Sequence, residues 1–164
     1  WRMGTLGEIA NVSSGNTCFN KMNKKEPPYI YPIAGASSII GYSSSFNSEE
    51  QVLTTGRVGT LGVINKYRGK TYMADNVLVI KSHYYEFCYQ LLQLLDYNEI
   101  AKGGVQSLIT QTDLKAVEIL IPNTGVLTEY ENTVSPLFEM IEIKQQENEN
   151  NTELQSLLLA KMGQ

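Results

Sequence analysis

At 164 residues and 42% hydrophobic side chains, the chain has room for one packed domain plus an appendage and is too apolar to belong to the disordered class. A formal charge of −4 argues against a uniformly basic nucleic-acid binder. The acid is uneven, however: residues 1–125 hold 11 Lys/Arg against 10 Asp/Glu (+1), and residues 126–164 hold 2 against 7 (−5).

Two cysteines, Cys18 and Cys88, and the single His83 cannot assemble a structural zinc site, so neither a metal nor a cofactor is expected. No run approaches the ~20 apolar residues needed to cross a bilayer. The opening Trp1-Arg2-Met3-Gly4 has no apolar stretch behind it, as a signal peptide requires. These features read as a soluble, cytoplasmic protein with reduced thiols and no membrane partner.

In chain order, Thr5 is placed to cap a short turn through Leu6-Gly7-Glu8-Ile9, followed by an extended piece ending in the turn cluster Ser13-Ser14-Gly15-Asn16. Residues 20–28 are polar and end in Pro27-Pro28, which predicts a loop. Tyr29–Ala34 has strand character, with Pro32 confining it to an edge. Ser43-Ser44-Ser45 reads as a polar loop after Ile39-Ile40-Gly41-Tyr42. Four short extended segments with glycine between them follow: Val52–Thr55, Leu61–Lys66, Thr71–Met73 and Val77–Lys81. They predict a meandering sheet with Tyr67-Arg68-Gly69-Lys70 as a basic hairpin tip.

From Tyr84 to Tyr97 the apolar spacing changes to three and four, through Phe87, Leu91, Leu94 and Leu95, and predicts an amphipathic helix. After the Lys102-Gly103-Gly104 loop come a Thr112-capped turn and a last strand, Val117–Ile121, closed by Pro122. Residues 1–125 therefore read as an α+β domain without repeated strand–helix units, which argues against a doubly wound nucleotide fold.

Residues 126–164 differ in kind. Thr128-Glu129-Tyr130-Glu131 fits a capping box, and Ser135-Pro136 predicts a break and a fresh helix start. Leu137–Met162 then has no breaker and would form a rod of ~39 Å. Its apolar seam runs through Leu137, Ile141, Leu154, Leu158 and Met162, with Asn148 and Asn151 as polar members that set register. A coiled coil with another helix is expected, since an isolated exposed helix is marginal.

Three motifs point elsewhere and are weak. Glu26-Pro27-Pro28-Tyr29 is one residue from the Asn/Asp/Ser-Pro-Pro-Tyr loop of amino-methyltransferases, but no glycine loop for S-adenosylmethionine accompanies it. Gly56-Arg57-Val58-Gly59-Thr60-Leu61-Gly62 lacks the Gly-Lys-Ser/Thr of a nucleotide-phosphate loop and reads as a turn. His83 has no nucleophile placed beside it by a recognisable motif. No catalytic constellation is visible.

Taken together, the ordered motifs resemble one half of the specificity (S) subunit of type I restriction–modification systems. They are Leu6-Gly7-Glu8-Ile9-Ala10 with Ser14-Gly15; Tyr31-Pro32-Ile33 through Gly41-Tyr42; Val52-Leu53 with Gly56–Val63; Asn76 before a strand; the leucine-rich helix at 87–95; Gln106-Ser107-Leu108-Ile109; Leu114 leading to Ile119–Pro122; and a tail with Tyr130, Val134, Pro136, Glu147-Asn148, Leu154, Leu157-Leu158, Lys161 and Gly163. The resemblance implies a non-catalytic target recognition domain (1–125) and a spacer helix (126–164). It further implies double-stranded DNA as ligand and a methyltransferase (M) subunit docked on the helices. A restriction (R) subunit would join through that complex. A second S half, or a second copy of this chain, would pair through an antiparallel coiled coil. The chain is then either a fragment of a two-domain subunit or a half-length subunit that must pair.

By donor type and loop position, Arg57, Lys66, Arg68 and Lys70 are expected to meet phosphates or guanine edges. Lys102 and Gln106 follow the helix, where glutamine can pair with adenine. Tyr42, Ser43 and Ser44 form a polar loop able to reach DNA. Two rival readings are a coiled-coil adaptor that never touches DNA and a methyltransferase fragment built on the Pro-Pro-Tyr loop.

Overall fold

The computed structural model describes residues 1–103 and 107–163. Among the described residues, nine short strands form three sheets. The central sheet has the order β2 (Asn11–Ser14), β8 (Val77–Lys81), β5 (Val52–Gly56), β6 (Asn65–Tyr67), all antiparallel. β8 and β5 lie inside it, and both are nearly continuous apolar or threonine runs buried along their length. A second sheet joins β4 (Ile39–Ser43) to β3 (Tyr31–Ala34), and β3 pairs in parallel with the two-residue β7 (Tyr72–Met73). β1 (Arg2–Thr5) and β9 (Glu118–Ile121) make a two-stranded ribbon that brings the start of the chain beside the last strand.

The largest core lies between the central sheet and α1 (Tyr85–Leu94), where Leu53, Leu78 and Ile80 meet Cys88 and Leu92. Leu6, Ile109, Leu114 and Ile121 close it from the sides. The short helices α2 (Tyr97–Ile100) and α3 (Gln111–Lys115) edge this core. A smaller cluster of Ala34, Val52, Met73, Val77 and Val79 lies where the second sheet meets the central one.

One helix, α4, runs unbroken from Thr124 to Met162. At 1.5 Å per residue its 39 residues extend ~58 Å. Two expectations fail here. The helix is capped by Asn123, whose side chain accepts the Val126 amide at 2.9 Å, so it starts four residues before the expected Thr128 box. Thr128 instead donates its hydroxyl back to the Thr124 carbonyl. Nor does Pro136 end a helix: it sits inside α4, in spite of an interior cost of ~3 kcal/mol. Tertiary packing on both sides of Pro136 holds the helical path. Leu127 enters the main core, Tyr130 packs edge-on to Phe87 (6.1 Å between ring centres), and Phe138 packs edge-on to Tyr89 (6.0 Å).

Smaller corrections have equally local reasons. The expected strand at Leu61–Lys66 shrinks to Asn65–Tyr67, because Leu61 and Ile64 pack against the core around Tyr97 instead of pairing. Residues 67–70 are not a hairpin tip, since β6 and β7 lie in different sheets. Thr110, not Thr112, caps α3: its hydroxyl accepts the Asp113 amide at 3.1 Å. Ser43 belongs to β4 and is buried, with its hydroxyl turned to Ser45.

Candidate nucleic-acid interface

The strand register divides the domain into two ends. β5 pairs Gly56 with Val77 at one end and Leu53 with Ile80 toward the other, and β2 pairs Ser14 with Leu78 and Asn11 with Lys81. The loops that leave the Gly56 end are therefore neighbours: residues 15–17, 74–76 and 57–60.

Backbone and side-chain bonds fasten them into one rim. The Arg57 amide donates to the Asn76 carbonyl (2.9 Å) and the Gly59 amide to the Ser107 carbonyl (3.1 Å). Thr17 donates its hydroxyl to the Asp75 carboxylate (2.8 Å), and the Tyr72 hydroxyl donates to the Thr17 carbonyl (3.0 Å). Gly56 is required for this closeness, because a Cβ there would overlap the Thr60 carbonyl. From Thr17 the rim continues into the long, exposed 18–28 loop, which is stitched to β4 by the pair Met22–Tyr42 (N···O 2.9 and 2.8 Å). Gly41, at φ +148°, allows that approach; a Cβ would press on the Met22 carbonyl.

The opposite end receives α4. Glu131 accepts the backbone amides of Glu86 (3.2 Å) and Phe87 (2.8 Å), and so satisfies the free donors that open α1. Below it lies a group of five charges. Lys66 binds Glu86 at 2.5 Å and Glu142 at 3.4 Å, and its ammonium sits over the Tyr89 and Phe138 rings at 4.4 and 4.1 Å. Arg68 reaches Glu139 and Glu142 at 3.3 Å and Glu86 at 3.8 Å. The Glu86 side chain is fully buried, and burial pushes its carboxyl above the usual glutamate range, with Lys66 pulling the other way. This junction joins domain to helix.

The placement of the cations changes the expected interface. Lys66 and Arg68 face the α4 carboxylates. Lys70 pairs with Glu49 (3.7 Å) and lies over Phe46 (5.0 Å). Lys102 is on the rim but pairs with Asp113, whose carboxyl Lys102 and Thr110 hold down at about 2. Gln106 lies outside the described residues. Tyr42, half-buried, borders the 18–28 loop, and Ser44, also half-buried, follows β4 two residues on.

The cations that make no ion pair among the described residues are Lys21, Lys24, Lys25, Arg57, Lys115 and Lys161. The first three stand together on the exposed loop, and Arg57 is on the rim. Sequence reasoning passed over Lys21, Lys24 and Lys25 as ordinary loop. The signal available was three lysines with Glu26 as the one acid between residues 9 and 48.

The outer face of α4 is bare. Leu137, Ile141, Leu154, Leu158 and Met162 are roughly half-exposed or more, and Asn148 and Asn151 are exposed between them. Leu137 and Ile141 flank the docked stripe Leu127, Glu131, Val134, Phe138 and Glu142, each three positions on from a stripe residue, and residues 143–163 are exposed all round. Among the described residues no group of His, Cys, Asp or Glu is placed to hold a metal, and no helix is long and apolar enough to cross a membrane.

Comparison with known proteins accounts for this architecture. The specificity subunit of the type I restriction enzyme EcoprrI from Escherichia coli is 23% identical over 163 residues, which cover 92% of this chain and 41% of that protein. The crystal structure of a type I restriction–modification S subunit from M. genitalium matches with a TM-score of 0.62 at 16% identity, over 87% of this chain and 40% of that one. The HsdS subunit from Thermoanaerobacter tengcongensis matches with a TM-score of 0.58 at 16% identity, over 87% and 38%. At such identity the structural likeness shows the fold: mixed sheets followed by a long helix. The chain spans about two fifths of the length of each of these relatives. The family model for the type I restriction modification DNA specificity domain matches residues 1–155, and the chain belongs to that family.

Proposed function

We propose that this chain reads one part of a split site in double-stranded DNA and holds an adenine methyltransferase beside it, with no chemistry of its own. A restriction subunit would join through that methyltransferase in the cytoplasm. A second S half or second copy would cover the exposed seam of α4. The observation that carries the reading is the separation of the two ends, in a chain of this family. Four of the six cations without an ion pair among the described residues stand on the rim and on the 18–28 loop that leaves it, and a projecting helix is fastened beyond the opposite end of the central sheet. Phosphate binding favours unpaired cations, because each phosphate neutralised releases a counterion from the duplex.

The DNA face would comprise Lys21, Lys24, Lys25 and Arg57, with Tyr42 and Lys102 at its margin and the loop backbones giving shape, and Gln106 stays a candidate adenine reader by its side-chain chemistry alone. Lys66 and Arg68 are instead helix-fastening residues. The test is co-expression with the methyltransferase subunit of the same system, followed by mapping of modified adenines. A defined split motif is expected. Unmodified DNA from a correctly assembled complex contradicts the proposal, and a palindromic motif identifies the partner half as another copy of this chain.

A further inference from the structure

Resting on the DNA reading, we propose that Phe19 is the apolar base contact of this domain, carried into a groove at the tip of the lysine loop. Phe19 is 91% exposed. Exposure of one aromatic is ordinary on a protein surface and carries little by itself. The setting is what distinguishes it. On one side Thr17 is held by Asp75 and Tyr72, and on the other Met22 is held by both backbone bonds to Tyr42. Cys18 donates its thiol to the Asn20 carbonyl between them (3.5 Å). Four residues thus project from two fixed points, with Phe19 at the tip and Lys21, Lys24 and Lys25 following.

A ring presented on a short, pinned loop loses little freedom on binding. The lysines would bring the loop against phosphates, which places its tip toward the bases. A phenyl ring neither donates nor accepts a hydrogen bond, so its base contact must be apolar. Two sources fit: the C5 methyl of thymine in the major groove, or the face of a base pair opened at a flexible step. Burying such a ring corresponds to a gain on the order of tenfold to a hundredfold in affinity.

The experiment uses the complete S polypeptide assembled with its methyltransferase, on a duplex bearing the mapped site. Phe19→Ala is expected to lower affinity for that site by about tenfold or more. Its salt slope, its binding to unrelated duplex and its thermal midpoint should stay as in the parent, since Phe19 is almost wholly exposed. Phe19→Leu should recover part of the affinity. Replacing thymines of the site by uracil weakens the parent but not Phe19→Ala if the methyl is the partner. A 2-aminopurine placed at the step brightens with the parent but not the variant if the ring opens the stack. Equal site affinity for parent and Phe19→Ala overturns the inference and leaves the DNA reading standing, as does a drop in affinity with neither base response. A parent complex that does not distinguish its site from unrelated duplex removes both.

Discussion

Replacing Lys66 by methionine isolates the junction between the domain and α4. Methionine preserves the length of the side chain and its packing against Tyr89 and Phe138, and removes only the charge. Glu86 would then be fully buried, with Arg68 at 3.8 Å as its remaining cation and with Glu131, Glu139 and Glu142 nearby as like charges. One Glu86 oxygen already has no hydrogen-bond partner. Leaving a buried charge unpaired costs ~3–5 kcal/mol. We take the lower end, ~3 kcal/mol, because Arg68 remains, and because Glu86 can escape part of the penalty by binding a proton.

That escape gives the destabilisation a pH signature. In the parent, burial raises the folded-state pKa of Glu86 above its unfolded value. The folded state therefore holds the proton more tightly, and stability is fully present below the unfolded pKa and declines as pH rises through the folded one. Removing Lys66 raises the folded pKa further and carries this decline to higher pH. Urea unfolding at pH 5 and pH 8 should thus show a larger deficit at pH 8. Lys66→Met combined with Glu86→Gln should recover much of the stability, since both charges are gone. A single variant as stable as the parent, or an equal deficit at both pH values, refutes the reasoning.

Three further outcomes follow from the packing. Gly56→Ala should cost ~1–3 kcal/mol by forcing the Thr60 carbonyl away, and should loosen the loop rim in hydrogen exchange. An unaltered unfolding midpoint would mean the turn yields freely. Pro136→Ala restores an amide donor inside an unbroken helix and should raise the stability of the docked helix by ~1–3 kcal/mol; destabilisation would show that the proline shapes the docked path. The buried Cys88 thiol, pushed up to about 11 by desolvation, should resist a thiol reagent in the native protein, whereas the half-buried Cys18 should label within minutes. Rapid labelling of both would contradict the core described for α1.

Much of the strand inventory was readable because short β-branched runs between glycines have few alternatives. Val77–Lys81 is such a run, and its bounds are as expected. The sheet order was not readable. Nothing local says that β3 pairs with β7 in parallel or that β5 lies between β8 and β6. In the tail, Pro136 and Thr128 carried strong local signals that yielded to packing against residues far back in the chain, chiefly Phe87 and Tyr89.

The charges show the same limit. Lys66 and Arg68 look like DNA ligands as long as their partners are out of sight: Glu86 is 20 positions on from Lys66, and Glu139 and Glu142 are more than 70 positions further on. Electrostatic pairing is set by the fold, so a basic run read from sequence counts cations already neutralised together with those that are free. Composition did convey that the acid of the tail exceeds its base. Part of that acid turns out to meet the cations of the domain.

The central claim, that DNA meets the rim and the lysine loop that leaves it, is tested most directly by the salt dependence of duplex binding in two variants of equal charge. Replacing Lys21, Lys24 and Lys25 by glutamine should lower the log–log slope by ~0.9 for each phosphate that is no longer neutralised. The same change at Lys70, Lys81 and Lys115, toward the other end, should leave the slope as it is. A slope that falls with the second set and not with the first would place DNA at the opposite end of the domain and contradict the claim.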